Sequence, residues 1–228
     1  MNRIRDVLRG QTRHSYADRR DAGRAVASAL TDHHTVEADD DVLVIGLARG
    51  GLPVAAEVAS ALGADLDVAV VRKLGVPGHE ELALGAITSS RMVINEDLMR
   101  SLRVPDDALD AVIDREQAEL ARREDAYRGG RPPAAVAGRV VLLVDDGIAT
   151  GATMRVAALD ARAGGASRVV VAVPTAPVVA ASEFAVVADQ FVCPHTPDPY
   201  VAVGLSYDDF HQVEDAEVMA LLRRRLQD

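Results

Sequence analysis

The stretch that decides the fold spans residues 139–154 and reads RVVLLVDDGIATGATM. Residues 140–144 are five consecutive apolar residues, three of them valine. A short continuous apolar run of this kind predicts a strand that is buried on both faces of a parallel sheet. The run ends at two adjacent carboxylates, Asp145 and Asp146. Because open α/β sheets bind ligands at the carboxyl ends of their strands, these acids are candidate ligand contacts.

The loop that follows the two acids is built from small and hydroxyl-bearing residues. It comprises Gly147, Ile148, Ala149, Thr150, Gly151, Ala152 and Thr153, and an apolar helical pattern begins at Met154. Backbone N–H groups in such a loop, together with a helix N-terminus, can bind an anion. The stretch therefore predicts two acceptors for sugar hydroxyls beside a cradle for a phosphate, and a ribose 5-phosphate presents both groups.

The ordered pattern of apolar residues, two acids and a Gly/Thr loop resembles the signature of the type I phosphoribosyltransferases. The resemblance implies that Asp145 and Asp146 bind the ribose hydroxyls of phosphoribosyl pyrophosphate, and that residues 149–153 hold its 5-phosphate. It also implies a Mg²⁺ ion at the same two aspartates, which orient the ribose during catalysis. A plain Gly-rich turn with two solvated caps is the alternative, which the complete pattern disfavours.

A second strand and Gly-rich turn occur earlier in the chain. Residues 42–45 are apolar and precede a turn that contains Ala48, Arg49, Gly50 and Gly51, and Pro53 suits the first turn of a following helix. In the family that the chain resembles, the loop after the first core strand binds pyrophosphate, so these four residues are implied pyrophosphate contacts. A plain turn with a surface arginine remains the alternative.

A charged segment follows the third predicted strand, residues 66–71. Arg72 and Lys73, the only lysine of the chain, precede a stretch rich in Gly and Pro. This predicts a flexible, positively charged flap, which a hairpin of residues 83–89 and 91–94 completes. The flap resembles that of adenine phosphoribosyltransferases, which implies that Arg72 and Lys73 contact pyrophosphate and that Glu80 or Glu81, with Glu81 as our candidate, is a catalytic acid. A solvated loop with ordinary charges is the alternative.

The remaining segments alternate between helical and strand patterns. We predict helices over residues 16–30, with Ser15 as a possible cap, 105–128, 154–163 and 177–185, and strands over residues 169–173 and 188–193. This order predicts an α/β fold with a doubly wound parallel sheet. We expect a single domain over residues 1–228, with its core at about 42–193 and an N-terminal arm at residues 1–14.

The tail from Pro194 onward collects aromatic residues in a chain that contains few of them. Tyr200, Tyr207 and Phe210 lie there, before a final amphipathic helix over residues 214–226. In the family that the chain resembles, terminal segments form a small hood over the nucleobase, and aromatic rings can stack on a base. We therefore predict that Tyr200 and Tyr207, with Tyr16 from near the N-terminus, belong to a hood, and core packing of these rings is equally compatible with the pattern.

Composition excludes several functional classes. The net charge of −10 argues against nucleic-acid binding, and the single cysteine, Cys193, excludes an internal disulfide framework. No stretch approaches the length of a membrane span, so we expect a cytoplasmic protein with no membrane partner. The aspartate-rich, lysine-poor composition fits either a high-salt cytoplasm or a GC-rich genome. The long segment 105–128 suits a helix beside the sheet or at a subunit contact, and we expect a homodimer.

The resemblance implies a phosphoribosyltransferase of nucleotide metabolism, with phosphoribosyl pyrophosphate, Mg²⁺ and a nucleobase or similar acceptor as partners. Hypoxanthine–guanine enzymes have an aspartate at the position of Ala149. Adenine enzymes lack that aspartate, as this chain does, so we expect an adenine-like purine. A regulator that binds phosphoribosyl pyrophosphate without turnover is the alternative. A phosphoribosyl pyrophosphate synthetase would need tandem domains, for which 228 residues are too few.

Overall fold

The computed structural model describes residues 15–77, 79–102 and 104–224, without the side chains of residues 80, 81, 83 and 224. The predicted arm at residues 1–14 and the side chain of the candidate acid Glu81 therefore lie outside the described part. Within it the strands are β1 (Val42–Leu47), β2 (Asp65–Ala69), β3 (Arg72–Val76), β4 (His79–Ile87), β5 (Met92–Ile94), β6 (Val140–Val144), β7 (Arg168–Ala172) and β8 (Gln190–Val192). The helices are α1 (Arg19–Asp32), α2 (Gly51–Leu62), α3 (Glu96–Leu102), α4 (Asp106–Arg128), α5 (Ala152–Ala163), α6 (Ala180–Phe184) and α7 (Asp215–Arg224), and a 3₁₀ turn spans Val203–Ser206.

The central sheet is parallel and confirms the predicted doubly wound architecture. Its strand order is β2-β1-β6-β7-β8, and Val44 of β1 lies opposite Leu142 of β6. All five residues of β6 are buried, because helices cover both faces of the sheet. Truncating Leu142, which is fully buried, to alanine would cost about 2–5 kcal/mol of stability.

Two apolar layers enclose this sheet. Helices α1 and α2 pack on one face around Val26, Val54 and Leu142, and α5 and α6 pack on the other around Met154 and Phe184. Helix α1 begins after Asp18, whose carboxylate accepts a hydrogen bond from the Asp21 amide at 2.8 Å. The predicted cap at Ser15 is therefore wrong. Asp18 caps the helix because it directly precedes Arg19, the first helical residue, whereas Ser15 lies three residues before Asp18.

The charged segment after β2 forms a strand rather than the predicted loop. Arg72 and Lys73 begin β3, which pairs antiparallel with β4, and β4 pairs with β5. The predicted hairpin is confirmed, but β4 starts at His79, earlier than expected. The flap is thus a three-stranded antiparallel sheet, which packs with α2, α4 and α7 around Leu52, Leu74 and Leu84.

In the last third of the chain, the helices and strands follow the predicted order, but the bounds of two helices differ from the prediction. Helix α6 covers only Ala180–Phe184, because the segment after Pro177 forms a turn in which the Ala180 amide donates to the Pro177 carbonyl. Helix α5 begins at Ala152, two residues before the predicted start. Among the helices of residues 15–77, 79–102 and 104–224, none is long and apolar enough to cross a membrane.

Candidate active site

The candidate site lies where the sheet changes direction. After β1 the chain moves outward to β2, and after β6 it moves the other way to β7, so that β1 and β6 are neighbours at a topological switch point. Ligands of open α/β sheets bind in the crevice outside such a point. The loops 48–51 and 145–153, both singled out in the sequence, leave the carboxyl ends of these two neighbouring strands. The fold therefore brings the two predicted loops together.

The two loops touch through glycine. A Cβ added at Gly50 would overlap the carboxylate of Asp146, and one added at Gly51 would lie 2.7 Å from the Cα of Asp145. Real Cβ atoms do not approach heavy atoms so closely, so any larger residue at these positions would push the loops apart. Ala48 holds the first loop to the sheet, since its amide donates to the Ala69 carbonyl at 2.9 Å. The peptide bond between Ala48 and Arg49 is cis.

Burial dominates the electrostatics of the two aspartates. Burial raises the pKa of Asp145 well above its ordinary value, and the neighbouring charge of Asp146 raises it further. The charges of Arg19 and Lys73 act in the opposite direction. Burial also raises the pKa of Asp146, against the opposing effect of Arg19. The amide of Asp146 donates to Oδ1 of Asp145 at 2.9 Å, which fixes the first carboxylate relative to the second.

The predicted phosphate cradle forms the turn from β6 into α5. Gly147 and Ile148 are buried, and the Ile148 amide is tied to the Thr175 carbonyl at 2.9 Å. The rest of the loop faces solvent or is half-buried, and consists of Ala149, Thr150, Gly151, Ala152 and Thr153. Gly151 has φ +70° at the N-terminus of α5, a conformation that favours glycine. The first amides of α5 have no acceptor within the helix, so this exposed loop can bind an anion.

Arg49 of the first loop pairs with the C-terminal helix. Its Nη1 atom lies 3.6 Å from Asp215 Oδ1 and 3.9 Å from Glu214 Oε2. A cleft of about 360 Å³ runs between this loop and the tail. It is lined by Arg19, Arg49, Gly50, Asp146, Phe210, His211, Gln212 and Val213. The predicted pyrophosphate residue therefore shares one cleft with the predicted ribose acid.

The two cations of the flap have different surroundings. Lys73 is exposed, yet its charge lowers the pKa of Asp145, which links the flap electrostatically to the acid pair. Arg72 instead donates from Nε and Nη2 to Glu116 Oε2 of α4, at 2.9 and 2.6 Å. Lys73 thus acts on the acid pair through its charge, and Arg72 anchors the flap to α4.

The predicted hood residues form a packed cluster beside Asp146. Tyr16 and Tyr207 are 2% and 7% exposed, with ring centroids 5.7 Å apart. Tyr207 donates its hydroxyl hydrogen to the Asp146 carbonyl at 2.5 Å, and burial raises the pKa of both tyrosines. These two rings are therefore packed against protein. Tyr200 is half-buried, which raises the pKa of its hydroxyl to about 12, and Phe210 is 38% exposed.

Three charged residues of the candidate site were not predicted from the sequence. Arg19 lies 2.9 Å from Asp146, and Glu214 and Asp215 lie near Arg49. In the sequence, Arg19 stands among other charges at the start of a helix, a pattern typical of a solvated surface. Contacts between residues so distant in the chain depend on tertiary packing, so no local signal could have identified them.

Comparisons with known proteins agree with this geometry. The family described as "Phosphoribosyl transferase domain" matches residues 13–209. Two Mycobacterium tuberculosis proteins, from strains H37Rv and CDC 1551, are each named "Putative phosphoribosyl transferase" and are 47% identical to this chain over 214 residues. The match covers 93% of this chain and 47% of each relative, so the chain spans about half the length of the curated relatives it matches.

A solved structure is similar over nearly the whole chain. The crystal structure of TT1426 from Thermus thermophilus shares 42% sequence identity and superimposes with a TM-score of 0.76. The match covers 92% of this chain and 98% of the Thermus chain. The fold described above is therefore similar to that of a solved structure.

Proposed function

Because the chain belongs to the phosphoribosyl transferase domain family, we propose that it transfers the 5-phosphoribosyl group of phosphoribosyl pyrophosphate to a nitrogenous base. The observation that carries this proposal is the contact between Gly50 and Asp146. It joins a glycine loop to an acid pair, and the loop that follows the two acids ends at the N-terminus of α5. These are the three groups needed to bind a pyrophosphate, a ribose diol and a 5-phosphate.

Each loop has a distinct task in the proposed reaction. Asp145 and Asp146 accept hydrogen bonds from the ribose hydroxyls and orient the sugar, and the amides and hydroxyls of residues 149–153 bind its 5-phosphate. Arg49, with the backbone of residues 48–51, and Lys73 stabilise the negative charge of the departing pyrophosphate. Arg72 is a further candidate contact, although its pairing with Glu116 favours a role in holding the flap.

The donor set at the acid pair fits Mg²⁺ that is shared with a substrate. Within the described residues, no group of three or more His, Cys, Asp or Glu side chains could hold a metal by itself. Mg²⁺ is commonly bound by one or two carboxylates, with water and substrate phosphates completing its coordination. Asp145 and Asp146 would hold it, and when bound it would supply positive charge that neutralises the pyrophosphate.

The acceptor that we propose is a purine-like base. Ala149 stands where an aspartate would be available to deprotonate a purine, so the acceptor must supply its nitrogen nucleophile without that help. Tyr200 is a half-buried ring of the tail and can stack on a planar base.

The test is a pyrophosphate-release assay with phosphoribosyl pyrophosphate, Mg²⁺ and a panel of purine and pyrimidine bases. We expect release that depends on a purine base and is lost in the double variant Asp145→Asn, Asp146→Asn. Binding of phosphoribosyl pyrophosphate without release for any base would favour a regulatory protein that lacks turnover. Absence of both binding and release in the wild-type chain would refute the proposal.

A further inference from the structure

Arg19 makes three contacts that converge on the candidate ribose site. Its side chain is 8% exposed, and Nε donates to Oδ2 of Asp146 at 2.9 Å. Its Nη1 donates to the His211 carbonyl at 2.7 Å. The ring of Phe210 lies over the guanidinium, with 4.0 Å between Cζ and the ring centroid. Because the planar guanidinium is held from three directions, its position is fixed by the fold.

Arg19 occupies one oxygen of the Asp146 carboxylate, Oδ2, and leaves the other without a contact from this arginine. An ionised carboxylate has two oxygens, each able to accept hydrogen bonds. Engagement of Oδ2 by a fixed donor sets the rotation of the carboxylate and leaves Oδ1 to accept from a ligand hydroxyl. The backbone of the same residue is held as well, since Tyr207 donates to its carbonyl. Asp146 is thus oriented by segments from both ends of the described chain.

We propose that Arg19 is a positioning residue for sugar recognition, which holds the carboxylate of Asp146 in the orientation that binds a ribose hydroxyl. The inference rests on the proposed function, because it assigns a ribose hydroxyl as the ligand of Asp146. It gives the segments near Tyr16 and Tyr207 a role in shaping the sugar site, in addition to any cover over the base.

A lysine cannot reproduce this arrangement. The guanidinium presents donors in a fixed plane, so Nε and Nη1 can serve Asp146 and the His211 carbonyl together while the face stacks on Phe210. An ammonium group is a point charge without a flat face. Arg19→Lys therefore preserves the charge next to Asp146 but loses the fixed orientation, and it separates the two contributions.

The chain supplies a matched control for the loss of a buried arginine. Arg128 donates from Nε to Asp67 at 3.2 Å and from Nη2 to the Val68 carbonyl at 2.6 Å, and its side chain is 10% exposed. Its contacts resemble those of Arg19 in type and burial, but Asp67 lies in β2 and is not one of the candidate sugar ligands. Arg128→Met therefore reports what losing such a pair does to stability alone.

The experiment is calorimetric titration of wild type, Arg19→Met, Arg19→Gln, Arg19→Lys and Arg128→Met with three ligands, each with Mg²⁺: phosphoribosyl pyrophosphate, ribose 5-phosphate and inorganic pyrophosphate. We expect Arg19→Met and Arg19→Gln to weaken the binding of both sugar phosphates about tenfold and the binding of inorganic pyrophosphate less than about twofold. The affinities of Arg19→Lys should be intermediate. Arg128→Met should lower Tm and leave all three affinities unchanged. Thermal unfolding identifies the variants that fold, and Arg19→Gln or Arg19→Lys carries the test if Arg19→Met does not.

A double-mutant cycle with Asp146→Asn tests whether Arg19 acts through Asp146. In the Asp146→Asn background, removal of Arg19 should change sugar-phosphate affinity by less than about twofold, because the carboxylate that it orients is gone. Unchanged sugar affinity in the Arg19 variants, equal weakening of all three ligands, or additive effects in the cycle would overturn the inference. A wild-type chain that binds no sugar phosphate would overturn the proposed function, and the inference with it. That result is distinguishable from failure of the inference alone, in which the wild type binds sugar phosphate and the Arg19 variants bind it equally well.

Discussion

Gly50 and Asp146 are in contact across the switch point of the sheet, so closely that a Cβ at position 50 would overlap the Asp146 carboxylate. The two residues belong to loops that leave neighbouring parallel strands, β1 and β6. Their contact makes the proposed pyrophosphate loop and the acid pair parts of one candidate site. A change in either loop should therefore alter the binding properties of the other.

Gly50→Ala should abolish or strongly weaken binding of phosphoribosyl pyrophosphate. Gly50 has φ −61° and ψ −33°, which alanine adopts readily, so the added methyl group acts by displacing Asp146 rather than by straining the backbone. We expect affinity to fall at least about tenfold by calorimetry, comparable with loss of a charged hydrogen bond. Gly63→Ala is the control, since a Cβ at that position meets nothing within 4 Å but is strained by φ +63°. It should lower Tm and preserve affinity, and the opposite ranking of the two variants would contradict this explanation.

Asp146→Asn should weaken phosphoribosyl pyrophosphate binding about 10- to 100-fold, because hydrogen bonds to a charged acceptor contribute about 1.5–3 kcal/mol. The measurement is calorimetry in the presence of Mg²⁺. Asp114→Asn, which removes an exposed carboxylate from α4, is the control for the change in net charge. An unchanged dissociation constant for Asp146→Asn would count against a sugar-binding role for this residue.

Lys73→Met and Arg72→Met should separate ligand binding from anchoring of the flap. Lys73 is exposed and influences Asp145, so its loss should weaken binding of inorganic pyrophosphate, with a smaller effect at high ionic strength. Arg72 is paired with the buried Glu116, so its loss should mainly lower Tm.

Arg162→Met is the control for both variants, because Arg162 lies in the last turn of α5, away from the two loops of the site, and pairs with Asp189. Equal effects of Lys73→Met and Arg162→Met on pyrophosphate affinity would remove Lys73 from the site. A loss of affinity in Arg72→Met without a loss of Tm would instead make Arg72 a direct ligand contact.

Asp145→Asn should stabilise the unliganded protein at neutral pH. Burial and the charge of Asp146 raise the pKa of Asp145 above its ordinary value of 3.8. A carboxyl group with a raised folded-state pKa favours folding at low pH, and this contribution is lost as pH rises through the folded pKa. The variant should therefore have a higher Tm than the wild type at pH 7.5, and the difference should be smaller at pH 3.5. Each kcal/mol of added stability corresponds to an increase in Tm of about 2–4 °C. The measurement is thermal unfolding in EDTA, and an equal gain at both pH values would show that ionisation of Asp145 is not the cause.

The sequence was most informative where local pattern and burial coincide. Runs such as residues 140–144 and 42–45 are apolar without interruption, so their burial in a parallel sheet and the alternating order of strands and helices could be predicted. The glycine loops could be placed at the carboxyl ends of the strands for the same reason. The bounds were less accurate, since Asp18 caps α1 and Arg72 begins a strand. Competition among nearby polar residues and pairing with β4 decide these points.

The partners of the site residues could not be predicted. Arg19 lies among charged residues and Arg72 follows an apolar run, but neither pattern identifies a partner: Arg19 pairs with Asp146 and Arg72 with Glu116. Likewise, the pattern left open whether Tyr207 stacks on a base or packs in the core, and its burial against Tyr16 and Phe210 favours packing. These outcomes depend on which segments meet after folding, and the chain order alone does not specify that.

The most direct test of the central claim is a crystal structure of the chain with phosphoribosyl pyrophosphate and Mg²⁺. We predict ribose hydroxyls within hydrogen-bonding distance of Asp145 and Asp146, the 5-phosphate on the amides of residues 149–153, and Arg19 still bonded to Asp146. A sugar phosphate bound elsewhere, or a cleft that stays empty at saturating ligand while the two acids point away from it, would contradict the account.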